Sequence, residues 1–317
     1  MRQVRVARPL MARPSTADTS QPRQPTGALA AWMRSSSVYL VLGIGALIMI
    51  FPFFWMIMTS LKSLAEINLS PPTLFPMEWH PENYVNAWNK PESTFGRYFL
   101  NSAIVAIGGT ALQMICAILA AYAFAQMDFP LKGPLFLLVL ASLMIPFEVT
   151  LIPNFVTIRH LPLLGGNDIT GAGGRGLYDS YGGMVLPGIA NAFSVFLLRQ
   201  SFRQMPRDFW DAAQIDGAGQ WMFLWRVAVP LTLPTVLTAT LFALLARWKA
   251  VLWPLIITAT EEIRPVQVAL LYFRGEEGPN YHHLMAAAAM VALPGLLLYV
   301  LAQRHFTEGF ASSGIKG

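Results

Sequence analysis

The sequence predicts an all-α integral membrane protein: six transmembrane helices, with a helical hairpin on the cytoplasmic side between the fourth and fifth. Three observations predict it. Of 317 residues, 55% are hydrophobic and only 12% charged, against about 25% charged in an ordinary soluble domain. The apolar residues gather in runs of roughly 20, the length that crosses a hydrocarbon core. They do not form the ~10-residue alternating segments of a membrane barrel. Finally, one mixed stretch, DFWDAAQIDGAGQWMFLWRVAVPLTLP at 208–234, sets three acids, two glycines and three tryptophans between two oily runs.

Taken in order, residues 1–37 carry six arginines, one acid and four prolines, the composition of a disordered basic tail. No cleavable signal peptide is expected, because the first apolar run starts late and is too long. The membrane domain, 38–303, holds spans expected at 38–61, 98–125, 134–155, 182–199, 231–256 and 284–303. The fourth is the weakest, with Pro187 and Asn191 inside it. Prolines also fall at 52, 146, 153, 254 and 294. Such breaks are tolerated where neighbouring helices or a lined cavity satisfy the freed backbone groups, so repeated kinks point to a pathway rather than a passive anchor. Residues 304–317 form a short tail.

Lysine and arginine counts set the orientation. Segments 1–37, 126–133, 200–230 and 304–317 hold twelve basic residues in 90, and the opposite loops hold seven in 89. Both termini, and the hairpin, are therefore expected in the cytoplasm. The net charge of +5 is spread over loops and termini, which fits topology control and gives no face for nucleic acid.

Other motifs carry less. GAGGRG at 171–176 matches the glycine pattern of a dinucleotide site, but it lies in an external loop with no acid near residue 196, so a turn-rich loop is expected. No P-loop, zincin or nucleophile-elbow motif occurs. The histidines, at 80, 160, 282, 283 and 305, fall in loops or at a span end. Cys116, the single cysteine, reads as a small buried apolar residue. Arg247 and Lys249 late in the fifth span, and Glu148 late in the third, are charges at membrane depth. They are read either as side chains reaching out to the interface or as the lining of a translocation path.

The hairpin, about 206–230, has its own logic. Pro206 suits a first helical turn and Asp208 the amide-rich helix start. Phe209, Ala212, Ala213 and Asp216 recur at helical spacing. Gly217 suits the left-handed residue that closes a helix. A second short helix follows, with Trp221, Leu224 and Trp225 on one face, and Pro230 marks the start of the fifth span. The product is a docking shape for another protein's groove.

This stretch resembles the EAA loop of ATP-binding-cassette (ABC) importer permeases, whose pattern is E-A-A, three residues, G, nine residues, then I-x-L-P. The chain has Asp211-Ala212-Ala213, then Gly217, then nine residues to Val227-Ala228-Val229-Pro230. It departs in Asp for Glu and in valines for Ile and Leu. FPFFWMIMTSLKS at 51–63, NSAIVA at 101–106, AAYAFA at 120–125, IPFEVTLIPNF at 145–155 and SGIKG at 313–317 are similar to the six-span subunit of maltose-type carbohydrate permeases. Lys249 departs from the asparagine that often follows the tryptophan there, and the loop from His160 is longer than usual.

The resemblance implies a pore-forming permease subunit of an importer for an oligosaccharide, amino sugar or glycerol-phosphate-like solute, in a bacterial inner (plasma) membrane. The partners it implies are a homologous permease subunit, two ATP-binding subunits and an extracytoplasmic solute-binding protein. ATP and magnesium would be held by the ATPase, leaving this chain without a cofactor and without catalytic residues. Asp211, Ala212, Ala213, Asp216, Gly217 and Pro230 would couple to the ATPase. Gly314, Lys316 and Gly317 would make a second contact with it, and the solute would sit mainly in the partner permease. The competing class is a self-sufficient secondary transporter or channel, for which internal pseudo-symmetry is expected and none is visible. A membrane-embedded enzyme lacks its catalytic motifs.

Overall fold

The structure, a computed structural model, describes residues 26–89, 95–275 and 278–314. The chain divides into two units, Met1–Pro52 and Phe53–Gly317. Residues 1–25 of the expected tail lie outside the described residues, and helix α1 (Thr26–Ser60) begins ahead of the expected first span. In the first unit, from Val38 to Pro52, that helix is apolar on all sides and exposed, with Tyr39, Leu47 and Met49 each at least 70% exposed. Such a surface suits lipid or a partner helix, not water.

The second unit continues with α2 (Phe95–Gln126), α3 (Lys132–Ser142), α4 (Phe147–Arg159), α5 (Tyr181–Gly188) and α6 (Ala192–Arg203). After these come α7 (Arg207–Ile215), α8 (Gln220–Leu231), α9 (Leu233–Trp248), α10 (Leu252–Ile257) and α11 (Tyr281–Gly314). The segments Val38–Ser60, Phe95–Gln126 and Tyr281–Val300 are long and apolar enough to cross a membrane. Three further candidates are bent pairs: α3 with α4 at 103°, α5 with α6 at 49°, and α8 with α9 at 82°. Counting each pair once gives up to six spans among the described residues. The sole strands described, β1 (Arg274–Gly275) and β2 (Gly278–Pro279), form one minimal antiparallel ladder.

The interruptions expected from the prolines and Asn191 take a definite form in the third, fourth and fifth spans. The third breaks before Pro146, which is extended at ψ 140, because the residue ahead of a proline is pushed out of the helical region. In the fourth, Asn191 is the N-cap of α6. Its side chain accepts from the Ser194 amide at 2.9 Å, so the polar residue that weakened the apolar run starts a helix. The fifth closes at Trp248, turns at Lys249 and restarts as α10. Pro52, Pro153 and Pro294 stay inside helices.

The main core forms around α2. Ala117 and Ala121 are 1% and 0% exposed, and they let α6 approach closely, as small residues do in membrane bundles. Met114, Ile118 and Tyr122 pack with Leu198 and Phe202 of α6 and with Phe223, Leu224 and Ala228 of α8. A second cluster joins Ala106 of α2 to Ala286, Ala287 and Val291 of α11, and the Trp248 indole donates to the Val291 carbonyl at 3.1 Å. Cys116 is not buried as expected. It is exposed on the outer face of α2 beside Leu112, Ile115 and Leu119, because the close helix contacts fall on the alanines at 117 and 121.

The glycine-rich segment after α4 is a tight cap on that helix. Asn167 donates to the Arg159 and Leu161 carbonyls at 2.9 and 3.0 Å. The Asp168 carboxylate accepts from the Thr170 hydroxyl and from the Thr170 and Ala172 amides, and these bonds hold it below the usual carboxylate range. A Cβ on Gly176 would stand 2.3 Å from the Ile158 carbonyl, and one on Gly165 1.8 Å from Gly176. The run serves close backbone packing.

Candidate functional site

The first limb of the hairpin is α7. Pro206 precedes it with ψ 141, and Asp208 sits in its first turn. The far end closes through two bonds: the Ala218 amide to the Ala213 carbonyl at 2.8 Å, and the Gly217 amide to the Gln214 carbonyl at 3.0 Å. These are the paired bonds of a Schellman cap, and they need a left-handed residue between them. Gly217 supplies it at φ +79. Ala213 is buried in the main core, with Ala218 packed against it. Asp211, Ala212 and Asp216 are exposed, and the Asp211 carboxylate makes no hydrogen bond or ion pair among the described residues.

The second limb, α8, is pinned from below. Phe223 is 1% exposed. Its ring meets Trp210 of α7 edge-on at 4.9 Å and Tyr122 of α2 at 6.4 Å. The Tyr122 hydroxyl donates to the Gln220 side-chain carbonyl. The face expected to carry Trp221, Leu224 and Trp225 is split: Leu224 is buried, while Trp221 is 66% exposed and rests edge-on against Trp225 at 5.8 Å. Four α-helical residues ahead of a π turn at Leu224–Ala228 are too few for periodicity to fix the buried face. Phe223, the anchor, was missed for that reason.

Beside α7 lies a cleft of about 590 Å³ lined by Asp211, Trp210, Lys132, Arg199, Arg203 and Arg207, among others. Arg199 stacks over the Phe136 ring at 3.7 Å and donates to the Phe124 carbonyl. The exposed acid Asp211 thus lies at the rim of a basic cleft.

A larger cavity, about 770 Å³, opens between α2, the α5–α6 bend and the end of α9. Arg247 turns its guanidinium into the bundle and does not reach outward. It donates to the Gln113 side-chain carbonyl at 3.1 Å and to the Gly188 carbonyl at 2.8 Å. Gln113 donates onward to the Ser194 hydroxyl at 3.0 Å, and Ser194 to Asn191 at 3.0 Å. Two glycines make room for the guanidinium. A Cβ on Gly109 or Gly188 would stand 2.8 or 3.0 Å from its nitrogens, and Gly109 directly follows a π turn at Ile104–Gly108, a feature that marks functional positions in many helices. Lys249 shares the cavity. Glu148 does not: it is exposed in the first turn of α4. Pro230 is exposed near the end of α8, two residues before the bend at Thr232. Gly314 ends α11, and Lys316 and Gly317 lie outside the described residues. Gln113 and Ser194 were not read from the sequence, although an amide inside an oily run is a signal of the kind Asn191 gave.

Bent apolar spans around a largely apolar cavity that holds Arg247, Lys249 and Gln113, with a capped helical hairpin projecting between two of them, are the features of a membrane transport protein. Residues 113–311 match the family described as binding-protein-dependent transport system inner membrane component. The diacetylchitobiose uptake system permease protein of Streptomyces coelicolor is 31% identical over 85% of this chain and 84% of its own. The sn-glycerol-3-phosphate transport system permease protein of Yersinia pestis is 29% identical over 87% and 95%. A bacterial ABC transporter involved in the import of the acidic polysaccharide alginate has a chain of the same fold, with a TM-score of 0.75 at 23% identity, over 87% of this chain and 98% of that one. The chain belongs to the family of binding-protein-dependent transport inner membrane components and is a permease subunit of an ABC importer.

Proposed function

We propose that the chain forms one half of the pore of an ATP-driven importer for a carbohydrate or sugar derivative, and that its hairpin receives the stroke of the ATPase. The carrying observation is the hairpin: a first limb whose Asp211 is exposed and makes no hydrogen bond or ion pair among the described residues, closed by Gly217 at φ +79 and anchored to α2 through Phe223. A groove on an ATP-binding subunit would take α7. ATPase closure would then move α7 and α8 together and swing the spans behind them between outward and inward access. The solute class rests on relatives that carry diacetylchitobiose and sn-glycerol 3-phosphate.

The assembly follows from that role. A homologous permease subunit completes the pore, two ATP-binding subunits hold ATP and magnesium on the cytoplasmic side, and an extracytoplasmic binding protein delivers the solute. The membrane is the bacterial inner membrane, with both termini and the hairpin in the cytoplasm, as the basic-residue counts favour. Gly314, Lys316 and Gly317 are proposed as a second ATPase contact. The test is affinity purification from the native membrane followed by reconstitution. A co-purifying P-loop ATPase, stimulated by the loaded binding protein, is expected. Solute uptake by this chain alone would refute the reading.

A further inference from the structure

The cavity at the end of α9 holds two cations and no acid. Arg247 and Lys249 line it, and no Asp or Glu does. Arg247 spends its donors on neutral oxygens, Gln113 and Gly188, and its Nε is buried with no partner. The Lys249 ammonium makes no hydrogen bond or ion pair among the described residues. The helix C-terminus beside them supplies roughly half a negative charge, which leaves an excess of about one and a half positive charges. Lys249 is exposed at the cap of α9, whereas Arg247 is half-buried within the bundle, where a charge without a counter-ion is costly to keep. The remaining wall is apolar and aromatic, with Phe147, Phe193, Phe242 and Trp253, and the volume lies within the ~300–1,000 Å³ of ligand pockets.

We infer that the missing counter-ion is the solute: this cavity receives an anionic sugar derivative bearing a carboxylate, sulfate or phosphate, with Lys249 and Arg247 facing the anion and the aromatic rings facing the apolar sides of the sugar. Gln113, held by Ser194 and Asn191, is a positioning residue that keeps the guanidinium turned inward. This deepens the importer reading and rests on it. It makes this subunit, and not its partner alone, a contact for the solute.

The test uses the complete transporter in proteoliposomes with its binding protein, offered sn-glycerol 3-phosphate, an alginate oligosaccharide and neutral diacetylchitobiose in separate arms. Uptake of at least one anionic probe is expected. It should fall at least tenfold in Lys249→Gln and in Arg247→Gln and recover in Lys249→Arg, with subunit assembly unchanged. Failure of both anionic probes overturns the inference. So does an equal loss for the neutral probe, or variants that lose their partner permease without a change in charge preference, since the counter-ion would then come from that partner. If no ATPase co-purifies, the importer reading itself fails. A normal ATPase response with a flat charge preference removes only this inference.

Discussion

Gly217 has open space where a Cβ would stand, so a side chain there meets torsional strain and not a clash. A left-handed residue other than glycine costs about 1–2 kcal/mol, with asparagine spared most and β-branched residues least. We expect thermal stability and ATP-driven uptake of the assembled transporter to fall in the order Gly, Asn, Ala, Val at this position. Undiminished uptake in Gly217→Val would count heavily against a coupling role. The left-handed cap at Gly217 was legible in the sequence because spacing along one short segment defines it. Arg247 was legible as a charge, but not its direction. Its partner Gln113 lies 134 residues away, and only the packing of α9 against α2 decides that the guanidinium turns inward.

At the scale of the elements, the hairpin is a tertiary object more than a local one. Its cap is local, but its fixed angle depends on Phe223 wedged between Trp210 and Tyr122. Truncating a buried phenylalanine costs about 3–5 kcal/mol. In Phe223→Ala, amide exchange across 207–228 should quicken by at least tenfold while α2 stays protected, measured by mass spectrometry on the purified complex. Equal protection in the variant would show that the limbs hold without this anchor. The sequence marked where helices are interrupted but not how sharply. Pro146 breaks a span by 103°, whereas Pro153 passes through a helix. The difference lies in what the neighbours offer the freed backbone groups, which a single chain's pattern does not record.

Across the whole molecule, hydropathy and basic-residue counts favour a topology that labelling tests directly. With Cys116 replaced by alanine, cysteines introduced at Asp216 and at Ile169, which is 78% exposed, should label from opposite sides of intact cells. An impermeant maleimide should reach Ile169→Cys in spheroplasts and Asp216→Cys only after lysis. Labelling of both from outside would overturn the orientation. The apolar segments that make up to six spans were legible because apolar length is a property of each segment. The bends and the cavity were not, because they arise where segments meet. The 82° bend at Thr232 joins the hairpin limb α8 to α9, and α9 runs ~24 Å to Arg247. In the importer proposed above the two helices would act as a bell crank: a push on the short arm at one membrane face would be delivered as a swing of the long arm at the other. The pivot would sit between Pro230 and Pro234, and the proposed stroke that opens the pore and the proposed grip on its cargo would be two ends of one lever.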